Sequence, residues 1–217
     1  MNSISIQKIK ENENTIEIEL AYLLGALRDG CITNGRLEFY SNNKKWLFEI
    51  SNMLQKLASK EPILREITRN QKTYWRLQLA NKNFIQKLQN VSKFKSPQNG
   101  WATPSIILES DKEIQSYYII GFFDAEGNID GHLKNAWNIA LYQCWNIPDK
   151  CPPLVDIKPM LLNYEIRSNR ITVRTKNRKT PIFCLRMTVK KSVKTFCNMI
   201  HSYHPVKLEK INRILTS

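Results

Sequence analysis

The most constraining feature of this sequence is a duplicated helix that ends each time in an acid followed by glycine. The first copy ends at Asp29-Gly30 and the second, 97 residues later, at Glu126-Gly127. Apolar residues recur before each pair at the three- and four-residue spacing of a helix. We expect the glycine to stop each helix, because glycine adopts the left-handed backbone conformation without steric cost. The repeat predicts two halves of similar fold.

The segments that follow the two acids also share one order of elements. In the first half we predict strands, an amphipathic helix, two strands and a helix, at 31–42, 43–59, 63–68, 73–80 and 81–91. The second half repeats this order at 129–145, 153–163, 165–176, 181–189 and from 190 onward. The predicted fold is α+β: two pseudo-symmetric αββαββα repeats, whose antiparallel sheets form a saddle with the duplicated helices at the interface. The predicted units are an N-terminal repeat, a Pro- and Gly-containing linker and a C-terminal repeat, at 1–92, 93–112 and 113–217.

The charge of the chain predicts a polyanionic partner. Lys and Arg outnumber Asp and Glu by 33 to 19, which gives a net charge of +14 and a pI near 9.6. Each half carries about half of that excess, as expected if the partner lies along the whole molecule. The sequence has no stretch of 18 apolar residues, so no membrane-spanning helix is predicted. The polar N-terminus does not resemble a signal peptide, so we expect an intracellular protein with reduced cysteines.

Two other groups of residues invite a metal assignment, and both are disfavoured. Cys144 and Cys151 have no neighbouring pair that would complete the four ligands of a zinc site. His201 and His204 have no third ligand in the sequence nearby, so a surface or phosphate-contacting role is favoured for them.

The predicted strands alternate between apolar residues and polar, mostly basic ones. The apolar face comprises Leu37, Phe39, Trp75, Leu77, Leu79, Ile171, Val173, Phe183, Leu185, Met187 and Val189. An ordinary solvated sheet face explains a polar row but not its basic excess. Arg and Gln are also the side chains that read base edges in the major groove. We therefore predict DNA contacts for Arg36, Glu38, Tyr40, Asn42, Lys44, Tyr74, Arg76, Gln78, Arg170, Thr172, Arg174, Lys176, Arg186, Thr188 and Lys190.

The two acid-glycine segments resemble a known motif. The segment IIGFFDAEG, which ends at Gly127, resembles the LAGLIDADG motif at all nine positions, allowing conservative replacements. The segment LLGALRDG, which ends at Gly30, is one residue shorter between its glycine and its acid, and Arg28 replaces the middle acid. Small residues such as Gly121 and Ala125 let two helices approach closely. Together the two repeats cover nearly the whole chain, which resembles the single-chain LAGLIDADG homing endonucleases.

This resemblance implies a site-specific endonuclease that hydrolyses both strands of DNA across the minor groove. Asp29 and Glu126 would bind Mg²⁺ through hard carboxylate oxygens, and we expect Mn²⁺ or Ca²⁺ to substitute in binding. The simpler interpretation makes each acid a satisfied helix-end residue. However, the helix dipole disfavours a carboxylate at a C-terminus, so two of them predict a compensating cation nearby.

The family also places amide and basic side chains around the scissile phosphates. By position after the motif, Gln143 resembles the glutamine of the second half. Arg76 and Arg186 are interpreted as equivalent residues on the last strand of each half and resemble the basic residue of the catalytic pocket. The first-half counterpart of the glutamine is left open among three candidates, Ser41, Asn42 and Lys44.

The predicted partner is a double-stranded DNA with a long, nearly asymmetric target site, bound by a monomer. An intron-encoded protein of this kind could also bind its host intron RNA. Two alternatives use the same fold: an RNA-binding intron maturase without nuclease activity, and a DNA-binding protein that has lost cleavage. Retention of both acids favours the nuclease.

Overall fold

The structure is a computed structural model that describes residues 17–33, 35–69, 71–94, 100–132, 136–146, 150–175 and 180–217. Its α-helices are α1 Ile18–Ala26, α2 Lys44–Ala58, α3 Lys82–Ser92, α4 Ser105–Leu108, α5 Lys112–Glu126, α6 Pro152–Leu162, α7 Lys190–Met199 and α8 Pro205–Leu215. Its strands are β1 Gly30–Thr33, β2 Arg36–Ser41, β3 Ile63–Arg69, β4 Lys72–Ala80, β5 Gly127–His132, β6 Ala136–Cys144, β7 Thr172–Val173 and β8 Ile182–Met187. A 3₁₀ helix, Leu27–Asp29, joins α1 to β1.

The two halves contain sheets of identical topology. The strand orders are β1-β2-β4-β3 and β5-β6-β8-β7, and every neighbouring pair is antiparallel. The first strand of each sheet begins at the glycine after the acid: Gly30 pairs with Phe39, and Gly127 pairs with Leu141. The α+β prediction with two αββαββα repeats is therefore confirmed. The structure adds α4 within the predicted linker, and α8 follows the second repeat.

The helices that follow the strands begin where the sequence supplies a capping side chain. Asn43 accepts a hydrogen bond from the Trp46 amide at the start of α2. Asn81 accepts one from the Phe84 amide at the start of α3. Such caps satisfy amides that the first helical turn leaves without an intrahelical acceptor. No helix in the described ranges has the length and apolar character needed to cross a bilayer.

The duplicated helices α1 and α5 pack directly against each other at the centre of the molecule. Their contact needs glycine on both sides: a Cβ on Gly121 would lie 2.0 Å from the Tyr22 carbonyl oxygen, and one on Gly25 would lie 2.1 Å from the Tyr118 carbonyl oxygen. Seven consecutive residues of α1, from Leu20 to Ala26, are buried. Most residues of both helices are buried, because the two helices lie inside one hydrophobic core that spans the two halves.

The 3₁₀ helix compensates for the residue that the first motif lacks. An α-helix rises about 1.5 Å per residue and a 3₁₀ helix about 2.0 Å. Five α-helical steps, as from Gly121 to Glu126, cover roughly 7.5 Å. One α-helical step and three 3₁₀ steps, as from Gly25 to Asp29, also cover roughly 7.5 Å. The shorter motif therefore brings its acid to the same height beyond the helix contact.

Two predictions about local structure are wrong, one about the glycines after the acids and one about a strand. The glycines after the acids are not left-handed: Gly30 has φ −117° and ψ 179°, and Gly127 has φ −88° and ψ 155°. Glycine is required at Gly127 for space instead, because a Cβ there would lie 2.5 Å from the carbonyl oxygen of Phe123. The predicted strand at 165–176 is reduced to the two residues of β7, extended by single backbone bonds of Asn169 and Arg174 to β8.

Candidate active site

The two acids that end the duplicated helices lie close enough to influence each other. Glu126 is half-buried at the last position of α5. Burial and, to a smaller extent, the negative charge of Asp29 raise the pKa of Glu126 to about 7, against the opposing effects of Lys207 and Arg28. Asp29 reaches solvent, but the protein atoms crowded around it remove part of its hydration and raise its pKa to about 7. The two carboxylates are therefore electrostatically coupled neighbours.

Lys207, on α8, supplies the cation that the paired acids predict. Its ammonium donates to the carbonyl oxygens of Phe123 and Asp124, at 2.6 and 2.7 Å, in the last turn of α5. Burial lowers the pKa of Lys207 to about 8, while the charges of Asp124, Glu126 and Asp29 act in the opposite direction. The cation thus compensates both the negative end of the helix and the two carboxylates.

The middle acid of the second motif has a structural role. Asp124 is buried and accepts hydrogen bonds from the Tyr22 hydroxyl at 2.8 Å, from the Tyr203 amide at 2.9 Å and from the Ser202 hydroxyl. The Trp46 indole donates to Tyr22 at 2.8 Å and extends this network to α2. Asp124 therefore joins both duplicated helices to the segment that leads into α8.

The residue at the same place in the first motif, Arg28, is also buried and also bridges segments. Its guanidinium donates to the carbonyl oxygens of Trp101 and Ala102, at 2.6 and 3.3 Å, and to the Tyr118 hydroxyl at 2.9 Å. It lies 5.5 Å from the ring centroid of Phe94 and from that of Phe122. Arg28 thus fixes the linker against α5 and places a positive charge near Glu126.

The polar residues predicted in β2 and β4 share one face of the first sheet, opposite the buried Leu37, Phe39, Leu77 and Leu79. Glu38 accepts from the Tyr40 hydroxyl at 2.6 Å and from the Gln78 amide at 2.7 Å. The full set on this face is Arg36, Glu38, Tyr40, Tyr74, Arg76 and Gln78. We define it, with Arg65 of β3, as the first polar face.

Arg65 was not predicted from the sequence, and its position is informative. It lies directly opposite Arg76 across the β3–β4 pair. Like charges directly opposite each other destabilise a sheet by mutual repulsion. A polyanion bound at this face would relieve that repulsion, so the pair favours phosphate binding over an ordinary solvated face.

The second sheet presents a polar face of different composition. Thr172 pairs with Cys184, so Arg170, Thr172, Arg174 and Arg186 lie on the same side of the sheet. The Arg174 guanidinium lies 5.2 Å from the ring centroid of Tyr142, another residue of this side that was not predicted. We define these five residues as the second polar face.

Gln143 does not lie on that face. In β6 it lies on the same, apolar side as the buried Ile139 and Leu141, and it pairs with Phe183. It is 3% exposed, its amide nitrogen donates to the Cys144 carbonyl at 3.1 Å, and its amide oxygen is buried without a hydrogen-bond partner. Register now identifies its first-half equivalent as Ser41, because Phe39 and Leu141 occupy matching positions. A catalytic role for Gln143 stays a prediction.

The predicted equivalence of Arg76 and Arg186 is also wrong. Phe39 pairs with Leu77 and Leu141 pairs with Leu185, so Arg76 matches Cys184 rather than Arg186. Arg186 matches Gln78, because both lie one residue beyond those leucines. The segments between the middle helix and the last paired strand differ in length in the two halves, so counting residues from the motif does not give the matching positions.

Four further predicted DNA contacts lie off the sheets. Lys44 begins α2 and its ammonium lies 4.2 Å from the ring centroid of Trp75, on the apolar side. Asn42 is exposed just after β2. Because β8 ends at Met187, Thr188 and Lys190 line a small cavity beside Trp137 instead, and the exposed Val189 caps α7 rather than joining the apolar face. Lys176 lies outside the described residues.

The donors at the acid pair fit a hard divalent cation. Within the described part of the chain, no three His, Cys, Asp or Glu side chains are grouped as a complete metal site. The ligands that Asp29 and Glu126 can give a metal ion are carboxylate oxygens. Mg²⁺ is commonly held by one or two carboxylates, with substrate phosphate oxygens and water completing its shell. The site thus fits an ion that is shared with a phosphate-containing substrate.

Comparison with curated proteins finds a similar homing endonuclease. No family model matches the chain. The chain is 25% identical over 210 residues to the homing endonuclease I-ApeI of Aeropyrum pernix, covering 90% of this chain and 86% of the relative. The predicted resemblance to the LAGLIDADG homing endonucleases is confirmed.

Solved structures of homing endonucleases have a similar fold. I-DmoI in complex with DNA and Ca superposes with a TM-score of 0.59 at 15% identity, over 84% of this chain and 88% of that one. I-WcaI bound to its DNA recognition sequence has the same TM-score of 0.59 at 18% identity, over 93% and 89%. At these identities the likeness establishes the fold and leaves the activity to be argued from the site.

Proposed function

We propose that this chain is a site-specific endonuclease that cuts both strands of double-stranded DNA in the presence of Mg²⁺. The observation that carries the proposal is the pair of carboxylates, Asp29 and Glu126, at the contact of two helices from two pseudo-symmetric halves. A single composite site between two matching halves suits a duplex, whose two strands are themselves related by near-twofold symmetry.

The two acids act by supplying oxygen ligands and negative charge at one point between the sheets. When bound, a divalent ion activates water and stabilises charge on the leaving oxygen. Asp29 reaches solvent, so an ion that it held could also take an oxygen ligand from a backbone phosphate, whereas Glu126 is half-buried and held at the end of α5. Because the pKa of each acid is about 7, the pair is only partly ionised at neutral pH before an ion binds.

The two polar faces support binding of a long DNA site. The first face carries Glu38, Tyr40, Arg65, Arg76 and Gln78, and the second carries mostly arginines. Arginines contact phosphates and guanine, and glutamine reads adenine, so faces of different composition would read different half-sites. The target is therefore expected to be nearly asymmetric, and a single chain suffices because it contains both halves.

The relatives support the DNA substrate. I-ApeI is a homing endonuclease, and I-DmoI and I-WcaI have been solved with DNA, I-DmoI also with Ca, Mn or Mg. We extend to this chain the use of DNA and of a divalent cation, with Mg²⁺ as the working ion inside the cell. An intron maturase remains the competing function, since basic faces also bind RNA.

Selection from a random DNA library tests this function. The protein is incubated with duplexes that carry a randomised segment of about 25 base pairs, a length that spans two half-sites about one or more helical turns apart. Mg²⁺ is present in one arm and EDTA in the other, and cut ends are sequenced. We expect one asymmetric sequence to be enriched among products cut on both strands, only with Mg²⁺. Enrichment of bound but uncut DNA, or preferential binding of a structured RNA competitor, would overturn the proposal.

A further inference from the structure

Helix α8 lies against the part of the molecule that holds Glu126. Three of its contacts go to the end of α5 and the start of β5: the Lys207 ammonium donates to the carbonyl oxygens of Phe123 and Asp124, and the Lys210 ammonium donates to that of Ile129 at 2.9 Å. The segment just before α8 is tied to Asp124 through Ser202 and Tyr203. Helix α8, which follows the second repeat, therefore packs against the end of the second motif.

The carbonyl groups that Lys207 binds are those left exposed by the end of the helix. The last four carbonyls of an α-helix have no amide partner within it. Gly127 donates to the Phe123 carbonyl, and Lys207 donates to that same oxygen and to the next one. The Lys207 ammonium also lies 5.2 Å from the ring centroid of Phe123. A half-buried ammonium with two carbonyl acceptors and an aromatic ring has one defined position.

In the second half the acid ends an α-helix whose last carbonyls bind Lys207. In the first half α1 continues into the 3₁₀ helix Leu27–Asp29, and the acid is the last residue of that 3₁₀ helix. The two acids are thus held by different means. Glu126 depends on the last turn of α5, whose carbonyls bind Lys207.

We propose that Lys207 is a positioning residue of the active site: by capping the carbonyl end of α5 it fixes the place of Glu126 and holds the two carboxylates together for metal binding. The inference rests on the proposed endonuclease function. Lys207 acts through the helix end, so it is not a catalytic residue, and it deepens the account by giving the C-terminal helix a role in cleavage.

The test compares Lys207→Met with Lys210→Met, which removes the neighbouring lysine of the same helix and its carbonyl contact at Ile129. Each variant is checked for folding by circular dichroism and for binding of the selected target with Ca²⁺. Cleavage is then measured at saturating enzyme over a range of Mg²⁺ concentrations. We expect Lys207→Met to bind DNA normally, to cut at least about tenfold more slowly and to need about tenfold more Mg²⁺, as for other residues that orient metal ligands. Lys210→Met should stay within about twofold of wild type.

Rescue separates positioning from simple packing. Lys207→Arg keeps the charge and the donors, whereas Lys207→Gln keeps a donor without the charge. If Lys207→Met does not fold, the comparison of these two decides: recovery of the Mg²⁺ dependence by Arg and not by Gln supports the proposal. Wild-type cleavage by Lys207→Met or Lys207→Gln, or an equal loss in Lys210→Met, overturns it. A wild-type protein that cuts no DNA would instead overturn the proposed function.

Discussion

Replacing Gly121 by Ala is expected to destabilise the protein by about 3 kcal/mol or more, which lowers the Tm by roughly 6–12 °C in a chain of this size. In an ordinary helix this change stabilises by about 1 kcal/mol, because alanine has the higher helix propensity. Here the added Cβ would lie 2.0 Å from the Tyr22 carbonyl oxygen and 2.9 Å from the Ala26 amide nitrogen. Both neighbours are backbone atoms of α1, so the two helices must separate.

The matched control is Gly100→Ala. The nearest atom to a Cβ at Gly100 is the Asn146 side-chain nitrogen at 3.9 Å, an ordinary contact distance. Thermal unfolding followed by circular dichroism should give a Tm near that of wild type for this control and a clearly lower one for Gly121→Ala. An unchanged Tm in Gly121→Ala would mean that α1 and α5 do not pack as described.

Removing either acid is expected to stabilise the metal-free protein while it abolishes function. The pKa of Asp29 and that of Glu126 are raised to about 7 in the folded protein, so folding binds protons between the unfolded pKa, near 4, and 7. The free energy of unfolding therefore falls as the pH rises through that window. At pH 8 both groups are ionised and repel each other, whereas at pH 4 neither contributes a penalty.

Asp29→Asn and Glu126→Gln should each raise the Tm at pH 8 in EDTA, and much less at pH 4. We expect at least about 2 °C, the shift that roughly 1 kcal/mol gives in a chain of this size, because solvent screens Asp29. Adding Mg²⁺ at pH 8 should raise the Tm of wild type and not that of the variants, since a ligand that binds only the folded state stabilises it. Glu61→Gln, an exposed change before β3, is the control. A lower Tm for both acid variants at pH 8 would show that the acids are structural helix-end residues.

The order of the elements was predictable because it depends on local patterns. The amphipathic helix after each hairpin shows the spacing of a helix with one buried face, and Asn43 and Asn81 mark helix starts by their capping side chains. The polar faces were predictable for the same reason, since side chains alternate along a strand. These features need no knowledge of which segments meet in space.

The parts that were missed depend on contacts between distant segments. Lys207 binds a carbonyl 84 residues away, and nothing in its own neighbourhood distinguishes it from a surface lysine. Arg28 replaces the middle acid of the first motif, and the sequence gives no reason for the replacement. In the structure it is buried and donates a hydrogen bond to the linker, 73 residues later. Helix electrostatics predicted that a cation lies near the two acids, but it did not identify the residue that supplies it.

Register was the other source of error. The sequence predicts that Arg76 and Arg186 are equivalent, yet strand pairing matches Arg76 with Cys184 and Arg186 with Gln78. Moving a residue by two positions along a strand keeps its face, so the polarity of both arginines was predicted correctly and their equivalence was not. The two half-sites are thereby expected to be contacted by different side chains at matching positions.

Strand-resolved cleavage of the selected target tests the central claim, that Asp29 and Glu126 form one shared site that cuts both DNA strands. The duplex is labelled separately on each strand and incubated with excess enzyme and Mg²⁺. Wild type is predicted to cut both strands. Asp29→Asn and Glu126→Gln are each predicted to slow cleavage about 10³-fold or more while still binding the target with Ca²⁺. Double-strand cutting by both variants at the wild-type rate would contradict the account.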